Sequence, residues 1–460
     1  MLVEIHMLQN HCPSNMNRDD LGAPKTAMFG GFLRARISSQ CIKRSIRDPR
    51  ENRRSILSEL LQEYIGRSTR TLPEIVRTKL GTCKRIPEEY HEKIVDACKR
   101  IAKAEKDGQE QKAEKEDRTK QMIRLRPMEA ERFLDALAEL FENNKPDFLA
   151  FLDAPCPNKP SSYTEFLSGR ASIGHAVDIA LFGRMTTSRC FKDVEASMQV
   201  AHAISTHDIV PGVDYFTAVD DLIKEAGLIQ EAQLTSATFY KYFCLDWEGF
   251  LSNLKTGKTP TEAERILAGV ALKLFIKAAA CTVPTGKKNA FAHNNLPDFI
   301  FVEVKKDKVP TNYANAFLFP VKPVVDKDGN HSLMDESIRQ LDSYVQSTRT
   351  AFEIESEYRW FLNKLRSDCQ PAAKTNEAAT SSGPTNAASR NAFSTGQQVN
   401  TITELAEFVL SKLHVPVEGD DEMQITKSVA GWIVSVNNKI KELSPKIKEL
   451  SPKEEAPNAK

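Results

Sequence analysis

Residues 17–45 of the 460-residue chain read NRDDLGAPKTAMFGGFLRARISSQCIKRS. The segment combines an Asn-Arg-Asp turn, the pair Gly30-Gly31, clusters of Lys and Arg, and a Ser-Ser-Gln triplet. The first 50 residues carry eight Lys or Arg against four Asp or Glu, a net charge of +4, whereas the whole chain is only +1. Positive charge is therefore concentrated near the amino end, among amide and hydroxyl groups. This combination is typical of a surface that binds a polyanion backbone.

A strand and a helix are predicted on either side of this segment. Leu2–Leu8 alternates apolar and polar residues, which predicts a strand, and Ser38 or Ser39 is a candidate N-cap for a helix. That helix would bury Cys41, Ile42 and Ile46 and expose Lys43, Arg44 and Arg47. Helix N-termini attract phosphate, and two glycines let the backbone approach a ligand closely. An ordinary solvated helix face is the alternative interpretation, and the spacing is not that of a Walker A loop.

The composition predicts a soluble globular protein. Hydrophobic residues make up 41% of the chain, enough for a proper core, and charged residues make up 27%. The nine cysteines include no CxxC pair, so neither a zinc site nor a disulfide framework is predicted. The longest apolar run, Ala263–Val283, carries four charges and is expected to be a soluble helix. Since the N-terminus lacks the pattern of a signal peptide, we expect a cytoplasmic protein. No cofactor is predicted.

The remaining pattern predicts an α+β domain of ferredoxin-like type with two excursions. Residues 51–165 are charged and helix-forming, and they predict a helical insertion. Pro211-Gly212 and Gly227 predict a protruding two-stranded arm over residues 206–234. Strands are predicted at Met198–Ser205, Asp214–Leu222, Thr235–Leu245 and Phe299–Val304, and a capping box at Thr259–Glu262 predicts the start of the helix over Ala263–Val283.

The C-terminal quarter is predicted to be an appendage. Residues 352–369 are expected to be a helical extension, and residues 370–400 a flexible linker rich in Ala, Ser and Thr. Residues 401–460 are expected to form a second helical extension, with helices at Thr401–Leu413 and Ile425–Leu443. Its tail contains the heptapeptide KIKELSP twice, at 439–445 and 446–452.

No metal site is predicted. His202, His207 and Asp208 match no metal-ligand spacing, and His202 lies within a predicted strand. The pair Asp220-Asp221 could serve a two-metal nuclease, but no second acidic cluster accompanies it, so a charged turn is the better interpretation.

Several other residues have both a structural and a nucleic-acid interpretation. The Gly286-Lys287-Lys288-Asn289 turn would end the long helix, and its lysines could also contact phosphates. Phe216 and Thr217 on the predicted arm could pack on the body of the subunit or stack against bases. Met185 would by default fill the core.

Eight motifs together resemble one family: NRDD, KTAMFGG, RARISSQCIKR, DIALFGRM, MQVAHAISTH, DYFTAVDDL, PTGKKNAFA and NLPDF. They resemble the CasC family, the repeated backbone subunit of type I-E CRISPR Cascade complexes. The resemblance is collinear from about Leu2 to Ala351. Residues 352–460 carry no motif that matches it.

The resemblance implies a hand-shaped subunit. Residues 1–50, 166–205 and 235–351 would form an RRM-like palm, residues 51–165 helical fingers, and residues 206–234 a β-hairpin thumb. The implied contacts with the RNA backbone are Lys25, Arg36, Ser38, Gln40, Lys43 and Arg44, and Met185, Phe216 and Thr217 would lie at a displaced nucleotide. Lys287 and Lys288 are further palm candidates. From the basic segment itself we add Asn17, Arg18, Arg34, Ser39 and Arg47 to the predicted RNA-binding set.

The function implied is a non-catalytic CRISPR RNA-binding scaffold in antiviral defence. Copies would stack head to tail along the guide and present it for pairing with target DNA in an R-loop. Expected partners are the handle-binding subunit, the large and small subunits and the guide-processing endonuclease of Cascade, with no membrane. The alternative is a metal-dependent nuclease that cuts target RNA with Asp19 or Asp20. A lone RRM-type messenger-RNA binder is disfavoured because the strands lack the RNP1 aromatic signature.

Overall fold

The computed structural model describes residues 1–48, 50, 55–61, 64–102, 118–119, 121–171, 176–219, 226–324, 333–364, 393–413 and 415. The strands are β1 (Leu2–Ser14), β2 (Thr26–Phe29), β3 (Phe32–Ile37), β4 (Arg67–Thr69), β5 (Ile123–Leu125), β6 (Met198–Val200), β7 (Ala203–Ser205), β8 (Gly212–Val219), β9 (Ala226–Asp246), β10 (Phe299–Lys305), β11 (Tyr358–Asn363) and β12 (Gln397–Gln398). The helices are α1 (Ser39–Ile46), α2 (Ile56–Leu60), α3 (Leu72–Leu80), α4 (His91–Lys99), α5 (Pro127–Asn143), α6 (Lys145–Asp153), α7 (Ser162–Ala171), α8 (Val177–Phe182), α9 (Trp247–Leu254), α10 (Glu262–Cys281), α11 (Lys288–Phe291), α12 (Leu333–Phe352) and α13 (Ile402–Lys412), with 3₁₀ turns at Glu88–Tyr90 and Tyr313–Phe317.

One large sheet organises the molecule. Its main strand order is β12-β11-β10-β1-β9-β7-β3-β2, and β6 and β8 also pair with β9. Most neighbours are antiparallel, while β11 and β12 are parallel. The predicted α+β class is confirmed.

Strand β1 lies inside the sheet, paired with β10 on one edge and β9 on the other, and both of its faces are covered. One face contributes Val3, Ile5 and Met7 to the main core, which also contains α10. Glu4 and His6 on the other face make the sequence alternate, yet both are buried. Glu4 pairs with the buried Lys305, and His6 Nδ1 lies 2.8 Å from the Tyr240 hydroxyl. The alternation therefore does not mark a solvent-exposed face.

The predicted helical insertion contains a second core. Helices α3 to α7 pack around buried residues such as Phe133, Leu137 and Phe148, and Cys190 and Phe191 join them from outside the insertion. In sequence this unit stands between β3 and β6 of the large sheet. Residues 103–117 and 120 of this unit lie outside the described residues.

The predicted arm continues directly from the sheet. Strand β8 pairs with the first part of β9, from Gly212 opposite Leu234 to Val219 opposite Ala226. The same 21-residue strand β9 then runs on beside β1. The predicted turn at Asp220-Asp221 lies outside the described residues.

The predicted helical extension over residues 352–369 is wrong for its described part, residues 352–364. Helix α12 ends at Phe352, and Tyr358–Asn363 forms β11, which pairs with β10. Helix α13 packs on α10, where Lys273 Nζ lies 3.1 Å from Glu407 Oε1. This part of the C-terminal segment therefore belongs to the main fold. The predicted helix Ile425–Leu443, both heptapeptides and most of the predicted linker lie outside the described residues.

Two boundaries also differ from the prediction. Helix α10 has its capping box at Thr261 and Glu264, so Pro260 precedes the N-cap and Thr259 is not part of the box. The predicted strand over Met198–Ser205 is split into β6 and β7. No helix among the described residues is long and apolar enough to cross a membrane.

Candidate nucleic-acid interface

The N-terminus of α1 is fixed by two side chains from the basic segment. Ser38 is the N-cap, and its Oγ accepts a hydrogen bond from the Cys41 backbone N–H at 3.3 Å. Asn17 Oδ1 accepts from the Ser38 backbone N–H at 2.8 Å. Both groups are therefore occupied in holding the Asn17 turn against the helix start, and they position their neighbours.

Lys25 and Arg36 lie beside this helix start. The Lys25 N–H donates to the Asn17 carbonyl at 2.8 Å, and the Arg36 N–H donates to the Lys25 carbonyl at 2.9 Å. Arg36 Nε also donates to the Thr26 carbonyl at 3.1 Å. These bonds fix the backbone positions from which the two cationic side chains extend. Neither side chain is fully buried.

His202 joins the same site, which the sequence did not indicate. The Ser39 backbone N–H donates to His202 Nδ1 at 3.1 Å. Partial burial and the positive charges of Arg36 and Lys25 lower the pKa of His202. The ring is therefore neutral at pH 7 and available as an acceptor. Burial is the first cause of this lowered pKa, and the positive charges of Arg36 and Lys25 add to it.

Helix α1 and its C-cap supply two further cationic side chains, Lys43 and Arg47. Lys43 Nζ and the Arg47 guanidinium each lie 5.9 Å from the Phe182 ring centroid. Burial, with the neighbouring Arg47, lowers the pKa of Lys43, and burial, with Arg124, lowers the pKa of Arg47 to about 10. Both remain protonated at neutral pH. The predicted exposed face is thus only partly exposed.

The other helix and turn positions are more open. Arg44 lies 3.6 Å from Asp48, and Gln40 and Arg18 are exposed. Asp19 Oδ1 accepts from the backbone N–H groups of Leu21 and Ala23, so this carboxylate holds the turn.

Arg34 is a correction to the predicted set. Its side chain is fully buried, and its guanidinium donates to the carbonyls of Ser205 at 3.2 Å, Phe317 at 2.8 Å and Leu318 at 3.2 Å. It therefore ties β3 to the 3₁₀ turn at Tyr313–Phe317. A group enclosed in this way is not presented to a polyanion.

The lysine turn packs next to the Asn17 turn. A Cβ on Gly286 would come within 2.3 Å of the Met16 carbonyl oxygen, so only glycine allows this approach. Lys287, with φ of 47°, and Lys288 follow immediately. The structure thereby brings a distant part of the sequence to the basic segment.

Two of the three residues predicted to lie at a displaced nucleotide, Met185 and Phe216, are exposed at the surface. Met185 is 93% exposed, contrary to its default interpretation as core, because Gly183 and Arg184 hold the backbone turn that presents it. Phe216 is 47% exposed on β8. Thr217 lies opposite Ile229 in the same arm.

The sequence profile of the family described as CT1975-like protein (Cas_CT1975) matches residues 3–387. The chain belongs to this family. None of the curated proteins searched matches it.

Solved structures extend the comparison of this CT1975-like chain. A chain of a "CRISPR RNA-guided surveillance complex, pre-nicking" is similar with a TM-score of 0.64 and 24% identity, over 90% of this chain and 100% of the other. A chain of a second "CRISPR RNA-guided surveillance complex" has a TM-score of 0.48 and 20% identity over the same shares. The first similarity shows a shared fold.

Proposed function

We propose that this chain is a non-catalytic CRISPR RNA-binding backbone subunit of a type I-E Cascade-like surveillance complex. Its copies polymerise along the guide and present it for pairing with target DNA, in the cytoplasm and with the other Cascade subunits. The sheet and its helices would serve as an RRM-like palm, with the helical unit as fingers and the β8–β9 arm as thumb. Membership of the Cas_CT1975 family and the fold shared with a surveillance-complex chain support the proposal.

One observation carries it: a cationic surface is built from α1 and from the segments that pack beside its N-terminus. We define this surface, the α1 surface, by Lys25, Arg36, Gln40, Lys43 and Arg44. Three chain segments supply it, and the partly buried hydrogen bonds of Asn17 and Ser38 fix its geometry. A guide must be bound whatever its sequence, so the protein must hold phosphates and leave the base edges free. Cations around a helix start meet that requirement.

Two exposed side chains support the proposed displacement of a nucleotide. Met185 and Phe216 offer apolar area to solvent that a base could cover, and aromatic stacking contributes about 1–3 kcal/mol per base. Thr217 would accompany Phe216. Arg18 and Arg47 extend the α1 surface on either side, while Asn17, Ser38 and Ser39 position it.

The test is the salt dependence of RNA binding. Changing Lys43→Gln together with Arg44→Gln should weaken binding of single-stranded RNAs of unrelated sequence equally. The slope of log affinity against log salt should fall by about 0.7 for each phosphate that the variant no longer neutralises. Lys255→Gln with Lys258→Gln, on the loop between α9 and α10, is the control. An unchanged affinity and slope in the α1 variant would overturn the proposal.

The proposed lack of catalysis is tested separately. The described residues contain no group of three or more His, Cys, Asp or Glu that could hold a metal ion. We expect complementary RNA incubated with the guide-loaded protein and Mg²⁺ to remain intact. Regularly spaced cuts that disappear with Asp20→Asn would instead favour the nuclease.

A further inference from the structure

A cavity of about 630 Å³ lies between α1, the C-terminal end of α10 and the turn that follows it. We call it the lysine cleft and define it by Ser45, Lys277, Cys281, Lys287, Lys288 and Asn289. Its volume is within the range of small-molecule sites, about 300–1,000 Å³. It is therefore large enough to enclose one nucleotide.

The charged residues that line the lysine cleft are positive. Three of its residues are lysines, and none of the described residues that line it is acidic. In the described part of the chain, no carboxylate forms an ion pair with Lys277, Lys287 or Lys288. Three ammonium groups around one cavity repel each other, and a bound anion would offset this repulsion. The cavity thus favours an anionic ligand.

The uncharged residues of the lysine cleft favour a ligand larger than a phosphate ion. Thr282 and Asn289 add a hydroxyl and an amide, and Ile56 and Val283 add apolar area. Hydroxyl and amide groups suit the hydroxyls of a ribose, and the apolar part suits the body of a nucleoside. Among the described residues, no aromatic ring lines the cavity, so the lysine cleft does not select a particular base by stacking.

The lysine cleft adjoins the α1 surface. Ser45 lies on α1 seven residues after the N-cap Ser38, about 10 Å along the helix. Gly286, next to Lys287, packs on the backbone of Met16, which precedes the Asn17 turn. A strand held at the helix start can therefore continue into the cleft without leaving the protein.

We propose that the lysine cleft binds one nucleotide of the RNA held by the α1 surface. Lys277, Lys287 and Lys288 contact its phosphate, and Thr282 and Asn289 contact its sugar. This inference rests on the proposed function. It adds Lys277 and the inner wall of the cleft, to which no sequence motif drew attention.

The exposed thiol of Cys281 gives a direct test. Cys281 lines the cleft, whereas Cys83 and Cys156 are half-buried in or beside the helical unit. Saturating single-stranded RNA should slow alkylation of Cys281 by N-ethylmaleimide at least fivefold and leave the rates at Cys83 and Cys156 unchanged, as read by mass spectrometry. Equal alkylation of Cys281 with and without RNA overturns the inference. Equal protection by inorganic polyphosphate also overturns it, because phosphate alone would then account for binding.

Variants separate this inference from the proposed function. Lys277→Gln with Lys288→Gln should reduce the salt slope by about 0.7 for each phosphate released from the cleft and restore Cys281 alkylation in the presence of RNA. Lys258→Gln, beyond the other end of the 20-residue α10, is the control. If the α1 variant loses affinity while the cleft variant keeps both affinity and slope, the cleft inference fails and the function stands. If neither variant changes binding, both fail.

Discussion

Arg34 and Arg36 show how far a residue can be interpreted from its sequence. They stand two positions apart on β3 and therefore point to the same face of the strand. Arg34 is nonetheless enclosed by the Tyr313–Phe317 turn, while Arg36 stays at the rim. The covering segment is about 280 residues away in the sequence. The local sequence pattern can identify such a cationic cluster, but it cannot show which of its side chains are buried and which are exposed.

The difference in burial predicts that replacement by Met will affect stability at Arg34 and RNA binding at Arg36. Arg34→Met should lower the free energy of unfolding by about 2–3 kcal/mol, because buried carbonyls lose a charged donor. Its RNA salt slope should not change at a temperature where the protein is folded. Arg36→Met should weaken RNA binding and leave the free energy of unfolding nearly unchanged. Urea unfolding and RNA titration of both variants check this, and a weaker salt slope in Arg34→Met would contradict the assignment.

Buried His11 predicts an acid-sensitive fold. Burial, with the charges of Lys241 and His293, lowers the pKa of His11 from 6.5 to about 3. The folded protein therefore binds fewer protons than the unfolded chain below pH 6.5. The stabilisation from this histidine is complete above pH 6.5 and is lost progressively as the pH falls toward 3.

The effect can be isolated by comparison with a variant. Between pH 6.5 and pH 5 the His11 contribution should fall by about 1.6 kcal/mol. Urea unfolding at both pH values should show a smaller drop in His11→Gln than in the parent protein. An identical drop in both would show that His11 titrates normally.

At the scale of elements, the predicted boundaries were most accurate where the hydrophobic period and the capping residues indicate the same helix or strand. The start of α1 at Ser38, strand β10 and helix α13 lie close to their predicted positions. The prediction failed for Tyr358–Asn363, because six residues carry little local signal and the strand is stabilised by pairing with β10 and β12. The lysine turn and His202 were likewise brought to the α1 surface by tertiary contacts.

Helix α13 should therefore be part of the cooperative fold. Leu405 is completely buried in the main core, and Leu405→Ala should lower the free energy of unfolding by about 3 kcal/mol. Thr403→Ala, at an exposed position of the same helix, is the control. If Leu405→Ala changed stability no more than Thr403→Ala, the helix would be a separate appendage, as the sequence alone suggested.

The arm allows a matched test of nucleotide displacement. Phe216 and Tyr215 are adjacent on β8, so their side chains leave opposite faces of the arm, and both are exposed. Phe216→Ala should weaken periodic hyper-reactivity of the guide in chemical probing, while Tyr215→Ala should leave it unchanged. Since both side chains are exposed, neither change should affect stability by more than about 0.5 kcal/mol. An unaltered probing pattern in Phe216→Ala would remove it from the displaced nucleotide.

At the scale of the whole molecule, positive and negative residues are nearly equal in number, but an excess of positive charge is concentrated near the amino end. The chain carries 63 Lys and Arg against 62 Asp and Glu, yet its first 50 residues carry a net +4. A near-neutral protein can thus present a basic path to RNA and acidic surface to its neighbours. A contact between two different surfaces of one subunit builds an open filament when it does not close into a ring, and an open filament suits a linear guide.

The most direct measurement is the nucleic acid that accompanies the protein from its native host. The full-length chain, purified with its partners at moderate salt, should carry RNA whose sequence comes from a CRISPR array, with spacers of unrelated sequence equally represented. Lys43→Gln with Arg44→Gln should release most of that RNA. A preparation free of nucleic acid, or one carrying RNA that the α1 variant retains in full, would contradict the claim that the α1 surface binds the guide backbone.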